Sequence, residues 1–407
     1  MPKPTQRRTS ESGFSVVELL VAFTIVVIVM TIVYLTLDLN SNIARVQVSV
    51  SELQQSLRYG QREMARRVRM TGRSGLPRPL AIAVQQNVPA GTAVAGVDVV
   101  EGTDVLTIRG SFSSPIFRVD AGDATTFQIT GSTAQVIVDS VTKSGFSQPV
   151  DALLDAGAED ALVIVSRQAD AVWAVVELAS VSVEQGLAVE IQNQTITVDR
   201  ATLTVNIEPG TGTHTADYLA LSAGGVFPPN LTSALFVAVL EEYRYFVQEE
   251  FSVPGDRNSL ATPKLVLARM TPGTELVYQG DAALASQDIA ENVLDLQVAL
   301  GIDLDGDGRI LAVEDEAGNP VTDDVDEWLY NHADDDDTLP WDLAPLQYLR
   351  VSMLARTTIP DRQYISPPII AHLDRQYGEA AVPSVAGLID RRFRRRQLEN
   401  LIDLRNI

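Results

Sequence analysis

The longest uninterrupted run of apolar residues lies near the amino terminus, between Phe14 and Leu37, and its only charged residue is Glu18. At about 1.5 Å of rise per residue, a helix of this length extends roughly 36 Å, which is enough to cross a bilayer. The polar residues before it include Lys3 and Arg7, a positive bias typical of a segment that stays in the cytoplasm. The pattern predicts a single membrane-spanning helix over 14–37, with the residues that follow it on the extracytoplasmic side of the membrane.

The segment 38–72 has the pattern of an amphipathic helix. Apolar positions recur at spacings of three and four residues, at Val46, Val50, Leu53, Leu57, Gly60, Met64 and Val68. The opposite face carries charged residues, at Arg45, Glu52, Arg58, Arg62, Glu63, Arg66, Arg67 and Arg69. We expect the helix to continue out of the membrane, to pack its apolar stripe on the following domain, and to end near Gly72 and Pro77. The basic face is interpreted as solvated.

From residue 80 to residue 407 the pattern changes to short β-branched runs separated by Gly, Ser, Asp and Pro, which is typical of an antiparallel β-rich domain. Predicted strands are 104–109, 134–139, 161–166, 171–178, 195–207, 243–248, 265–269 and 349–354. The predicted fold class is therefore α+β: a long amino-terminal helix packed on a large β-rich head. Residues 254–263, which begin and end with proline, are a possible seam within the head.

Composition narrows the possible functions. The formal charge of −22 disfavours nucleic-acid binding, because a protein that grips phosphates needs a basic face. The chain has no cysteine, which excludes thiol catalysis and thiolate metal sites. Its three histidines, His214, His332 and His372, stand in no recognisable metal or nucleophile pattern, and no G-x-S-x-G motif occurs. We predict that the protein is not an enzyme.

The segment 303–314 has the spacing of a calcium-binding loop. Its candidate ligands are the carboxylates of Asp303, Asp305 and Asp307, the backbone carbonyl of Arg309 and the carboxylate of Glu314. Carboxylates at alternate positions can converge on one hard cation, so we expect a structural Ca²⁺. The preceding residues, 294–302, are predicted to form a strand, so the loop would sit on a β framework. The alternative is an acidic surface turn.

The carboxyl-terminal segment 391–396 places five arginines around Phe393, in a chain that is otherwise acidic. One interpretation is a contact with an acidic partner surface. The interpretation we favour is a solvated final strand or short helix, followed by apolar residues, including Leu401 and Ile402, that pack on the head.

The position of Glu18 within an apolar span requires an explanation, because an unpaired carboxylate in lipid is costly. A candidate cleavage site, Gly13, precedes the apolar segment, whereas an ordinary secretory signal is cleaved after it. Cleavage after Gly13 would create an amino group on Phe14, about one helical turn from Glu18 in the same or a neighbouring chain. The two charges would then offset each other.

The sequence Gly13-Phe14-Ser15-Val16-Val17-Glu18 resembles the processing motif of type IV prepilins and of type II secretion pseudopilins. The resemblance implies that residues 1–13 are a leader, which a prepilin peptidase removes by cleavage after Gly13. It also implies that the same enzyme methylates Phe14. Glu18 would set the register of the subunit during filament growth.

Several segments of the head resemble the PilW-type minor pilins, in the order of that family. They are 103–108, 242–247, 292–298, 349–356 and 404–406. Between about 140 and 240 no such resemblance is found, and this stretch is interpreted as an insertion.

The resemblance implies a minor pilin that joins other minor pilins and the major pilin in a complex that primes pilus assembly, near the filament tip. One alternative is a J-type pseudopilin of type II secretion, since the amino-terminal motif is shared. A second is an adhesin or ligand-binding module displayed on the filament, with 140–240 as its binding part. A third, a signal-anchored periplasmic enzyme, would retain its leader.

Overall fold

The computed structural model divides the chain into two compact units, Met1–Glu52 and Leu53–Ile407. Its described residues are 15–119, 126–139, 160–166, 172–191, 194–251, 261–280, 286–303, 310, 328–330, 346–361, 364–367, 371–373, 375–376 and 392–404. In the first unit these residues are helical from Val16 onward. The second unit contains the head.

Helix α1, Val16–Val68, begins and ends close to the predicted bounds. It ends four residues before Gly72, which adopts a left-handed backbone conformation with φ of 76°. The Gly72 N–H donates to the carbonyl of Arg109 at 3.0 Å, so the chain leaves the helical hydrogen-bond pattern to contact a strand of the head. Two short helices follow elsewhere, α2 (Arg78–Ala81) and α3 (Thr215–Ala220), together with a 3₁₀ turn at Ala223–Gly225.

The strands, in chain order, are β1 (Ile82–Gln85), β2 (Ala93–Val94), β3 (Val97–Asp98), β4 (Val105–Gly110), β5 (Phe117–Arg118), β6 (Phe127–Thr130), β7 (Thr133–Asp139), β8 (Ala161–Ser166), β9 (Trp173–Ile191), β10 (Gln194–Asn206), β11 (Ala234–Val239), β12 (Glu241–Phe251), β13 (Ala261–Met270), β14 (Ser286–Glu291), β15 (Val293–Ile302), β16 (Trp328–Leu329), β17 (Leu346–Arg356), β18 (Ala371–His372), β19 (Arg375–Gln376) and β20 (Arg395–Asp403). Each predicted strand coincides with one of these. The described strands pair antiparallel, and the predicted α+β class is confirmed.

Two sheets share one hydrophobic core with the carboxyl-terminal part of α1. The first has the order β1-β4-β12-β13-β14 and the second the order β16-β15-β17-β20. Asp104, fully buried, links them: its carboxylate accepts from the N–H of Asn87 at 2.9 Å and from the N–H of Val298 at 2.8 Å. Two segments that resemble the PilW-type proteins, 103–108 and 292–298, are therefore in direct contact.

The helical stripe packs on this core as predicted over residues 53–68. Leu57 and Met64 are at most 1 % exposed. At Gly60 the helix comes closest to the sheets, since a Cβ there would lie 3.3 Å from the Cβ of Ala290 and 3.5 Å from a methyl of Leu265. Glycine at this position allows the close approach.

A third sheet, of seven strands, is formed by the part of the chain that lies between β4 and β12, two strands that pair with each other. Its order is β5-β11-β8-β9-β10-β7-β6, and it has its own hydrophobic core. Because Gly110 of β4 pairs with Glu241 of β12, the chain between these two residues leaves the first sheet and returns to it at the same place. The described strands within 140–240, the stretch without a recognised resemblance, thus belong to a separate sheet that already begins at Phe117.

The hairpin of β9 and β10 extends beyond the strands beside it. β8 pairs with β9 only over 173–177, and β7 pairs with β10 only over 200–206. The two long strands continue to pair up to Gln194 and Ile191. Among the described residues, no third strand pairs with the hairpin past these neighbours, and a two-stranded ribbon has little stability of its own in water. The predicted strand 171–178 was too short because the alternation of polar and apolar residues continues past it.

The proposed seam at 254–263 is wrong. β12 and β13 pair continuously, from Glu242 opposite Met270 to Phe251 opposite Ala261, and Pro263 lies inside β13. The segment joins two neighbouring strands of one sheet, so it does not divide the head.

The chain after Phe393 forms the last strand, β20, along β17, which confirms the prediction of a final strand. Phe393 and Ile402 are buried. Leu401, in contrast, is 52 % exposed, because successive residues of a strand point to opposite faces. It does not pack on the head.

Replacing Gly60 with leucine should destabilise the protein by about 1–3 kcal/mol, because the new side chain has no space between α1 and the sheets. The matched control is Gln55→Leu, which places the same side chain on the exposed face of the helix, with an expected change within about 0.5 kcal/mol. Unfolding of the full chain in detergent micelles, followed by circular dichroism, measures both. Equal stability of the two variants would contradict the proposed packing.

Candidate functional site

The helix begins with a capping arrangement that gives Glu18 a local partner. The Ser15 N–H donates to Glu18 Oε2 at 3.0 Å, and the Val17 N–H donates to Ser15 Oγ at 3.3 Å. The first N–H groups of a helix lack partners within it, and a carboxylate in the first turn also interacts favourably with the helix dipole. The spacing Ser15-x-x-Glu18 is the sequence signal for this cap, and our sequence interpretation overlooked it.

Gly13 and Phe14 lie outside the described residues. The expected pairing of Glu18 with the amino group of Phe14 therefore stays a prediction.

The amino-terminal half of α1 has the composition that a lipid environment requires. It contains an 18-residue window of mean hydropathy 2.9, none of it buried, and is long and apolar enough to cross a membrane. The hydroxyls of Thr24, Thr31 and Thr36 each donate to the carbonyl four residues earlier, at 2.8 Å. These polar groups are satisfied within the helix, as they must be where water is absent.

Of the predicted calcium ligands, only Asp303 is among the described residues. It directly follows β15, which confirms the strand predicted at 294–302, and it is buried, at 4 % exposure. Its carboxylate accepts a hydrogen bond from the side-chain amide of Gln347, at the start of β17. Asp305, Asp307, Arg309 and Glu314 lie outside the described residues, and within the described ranges no group of three or more potential metal ligands is found. The calcium site remains a prediction.

The structure brings together a serine, a histidine and an aspartate that sequence analysis did not connect. Ser352 Oγ lies 2.7 Å from Nε2 of His372, and Nδ1 of His372 lies 3.0 Å from Oδ2 of Asp295. Arg375 Nη1 lies 3.1 Å from the second oxygen of Asp295, and Gln297 Nε2 donates to that oxygen at 3.0 Å. The connectivity is that of a hydrolase triad.

The surroundings of these three side chains indicate that they stabilise the fold. Ser352, His372 and Asp295 are at most 2 % exposed, so a substrate cannot reach the hydroxyl without opening the sheet. Ser352 Oγ also accepts a hydrogen bond from Gln397, at 3.1 Å. The network links β18 and Arg375 to the sheet formed by β15 and β17. The sequence pattern gave no sign of these contacts of His372, and His332 lies outside the described residues.

Two family models match the chain. Residues 244–406 match the model described as Type IV Pilus-assembly protein W, and residues 8–34 match the prokaryotic N-terminal methylation motif. No curated protein and no solved structure matches. The two matches confirm the resemblance to type IV prepilins of the PilW type, and they support a minor pilin related to the type IV pilus. Both describe pilus assembly or its processing motif, and neither describes an enzyme.

Replacing Asp295 with alanine should cost about 3–5 kcal/mol of folding stability, because it leaves His372, which is buried, and Arg375, whose side chain is only 12 % exposed, without their carboxylate. Ser352→Ala should cost about 1 kcal/mol, the contribution of one hydroxyl. The matched control is Asp288→Ala, which breaks a more exposed pair with Lys264 and should cost at most about 1 kcal/mol. Denaturant unfolding of the full chain tests this order, and equal costs for Asp295→Ala and Asp288→Ala would contradict a structural role for the network.

Proposed function

We propose that this protein is a minor pilin that primes assembly of a type IV pilus. After insertion into the inner membrane, a prepilin peptidase cleaves it after Gly13 and methylates Phe14. The head stays on the extracytoplasmic side. The protein then joins other minor pilins and the major pilin, and Glu18 sets its register by pairing with the amino group of a neighbouring subunit.

The observation that carries this proposal is the position of the two family matches on one chain. The methylation motif, 8–34, covers the start of the apolar helix, and the pilus-assembly match, 244–406, covers β13–β20 and most of β12. A pseudopilin of type II secretion would share the first match, whereas the second favours the pilus.

The size of the head supports a place near the tip. The inserted seven-stranded sheet adds bulk that every copy in a shaft would have to accommodate around a common helical core. A subunit at the tip has fewer neighbours. Immunogold labelling of the head should therefore decorate filament ends and leave the shaft unlabelled, and labelling along the shaft would contradict the tip position.

The first experiment is the intact mass and amino-terminal sequence of the protein recovered from membranes, with and without active prepilin peptidase. We expect a chain that begins at methylated Phe14 only when the peptidase is active. Glu18→Ala should be processed normally but should not enter filaments, since the pairing charge is lost, whereas Gly13→Arg should block cleavage. A chain that retains residues 1–13 under both conditions would overturn the proposal.

We also propose a structural calcium ion in the loop 303–314, bound by Asp303, Asp305, Asp307, the carbonyl of Arg309 and Glu314. The support is the ligand spacing and the placement of Asp303 at the end of a buried strand. A bound ion would neutralise clustered carboxylates and fix the loop against β17. Calcium is plentiful outside the cytoplasm, so a weak site would remain occupied there.

Calcium should raise the unfolding temperature of the full chain, since an ion at about 100 times its Kd adds roughly 2.7 kcal/mol of stability. Asp305→Ala and Glu314→Gln should abolish the increase. Asp334→Asn, which removes an acid outside the loop pattern, is the matched control and should retain it. An equal response of all four proteins, or none, would show that the loop is only an acidic turn.

A further inference from the structure

The exposed face of α1 in the head unit carries a row of arginines, which we name the arginine stripe: Arg58, Arg62 and Arg66 on the helix, and Arg69 and Arg73 just after it. All five are exposed. At 3.6 residues per turn, the three helical positions fall within about 80° of the circumference. Because the Arg69 N–H still donates to the carbonyl of Ala65 at 3.1 Å, the row continues to Arg69, over roughly 16 Å of the axis. The stripe lies opposite the apolar face that packs on the sheets.

Carboxylates within the same unit neutralise only part of the positive charge on this segment of the helix. Glu63 accepts from Arg66 and from Arg67 at 2.8–3.1 Å, and these hydrogen bonds, that of Arg66 foremost, lower the pKa of the Glu63 carboxyl. The guanidinium of Arg67 lies 4.7 Å from the ring of Tyr243, whose pKa burial raises to about 12. Arg67 and Glu63 thus belong to the packing of the helix on the head.

The rest of the stripe has no such role. Among the described residues, no carboxylate lies within ion-pair distance of Arg58, Arg62, Arg69 or Arg73. Like charges at this spacing destabilise a helix. The chain has 53 acidic residues, yet between 53 and 73 it places only Glu63 beside six arginines. Solvated surfaces of soluble proteins usually intersperse both signs, so a one-sign stripe indicates a partner of opposite charge.

A cleft lies at the end of the stripe. Arg69 and Arg73 line it together with Gly75 and Phe236, and its volume is about 540 Å³. The chain passes very close to β11 here, since a Cβ on Gly75 would lie 2.9 Å from the Phe236 ring. Two cationic side chains beside an aromatic wall form a site for a carboxylate on an extended or helical segment.

We propose that the arginine stripe and this cleft dock an acidic surface of a neighbouring subunit in the filament. The proposal rests on the proposed function, which supplies such neighbours. A long polyanion such as nucleic acid fits less well, because beyond roughly 16 Å of stripe it would meet a protein of net charge −22. A compact acidic patch on a folded subunit matches the length of the stripe and avoids that repulsion.

The test is a fluorescence-anisotropy titration of the full chain, in non-ionic detergent at low salt, with a labelled oligoglutamate peptide. The double variant Arg62→Glu/Arg69→Glu should bind at least about tenfold more weakly, since it replaces two attractions with two repulsions. The matched control Arg118→Glu/Gln128→Glu/Thr130→Glu makes the same total charge change at exposed positions off the stripe and should bind like the wild type. Added salt should weaken wild-type binding.

Equal affinities for the stripe variant and the control would overturn the proposal. Two further ligands test the kind of partner: a single-stranded oligonucleotide of equal charge and phosphatidylglycerol vesicles. If either binds more tightly than the peptide, and its binding depends on the stripe, the partner is not an acidic protein.

In cells, the stripe variant should be cleaved and methylated normally but should assemble few pili, whereas the control should assemble normally. Normal piliation of the stripe variant would overturn the proposal. Failure of the wild type to be processed would instead defeat the proposed function, and the peptide titration would still be interpretable.

Discussion

The head depends on the close packing of the carboxyl-terminal part of α1 against two antiparallel sheets. Leu57 and Met64 are buried between the strands, and Gly60 brings the helix backbone close to Ala290. Because one side of the helix is used in this contact, the arginines of the stripe lie on the other side, while Glu63 and Arg67 lie at the edge of the contact. The arginine stripe is therefore displayed as a consequence of the core.

Buried carboxylates organise the head beside this core. Asp104 accepts hydrogen bonds from two backbone N–H groups and joins two sheets. The Asp295 carboxylate contacts three side chains, those of His372, Arg375 and Gln297. Each carboxylate has enough donors to offset the loss of water, which makes a buried acid tolerable. The Ser352–His372–Asp295 row illustrates that connectivity alone does not make a catalytic site. A nucleophile also needs access to its substrate, and Ser352 has none.

The seven-stranded sheet enlarges the protein without interrupting its framework. It starts and ends where β4 and β12 are already paired, so the first sheet is continuous across the point of insertion. Its hydrophobic core is its own, apart from a smaller cluster, including Leu76 and Leu240, that packs against its other face. The family match begins only after this sheet, at residue 244. The inserted sheet therefore lies outside the part of the chain that matches the pilus-assembly family model.

The sequence alone determined the apolar helix, the amphipathic stripe, the β-rich class, the strands and the family resemblance, because each is encoded by residues close together along the chain. Periodicity identifies a helix or strand without knowledge of its neighbours. Only the tertiary structure decided which strands share a sheet, that 254–263 joins two paired strands, and that the strands β5 to β11 form a sheet of their own. It also brought Asp295, Ser352 and His372 together and, among the described residues, placed no carboxylate within ion-pair distance of Arg58 or Arg62. These features depend on contacts between residues far apart in the chain, and no local pattern encodes such contacts.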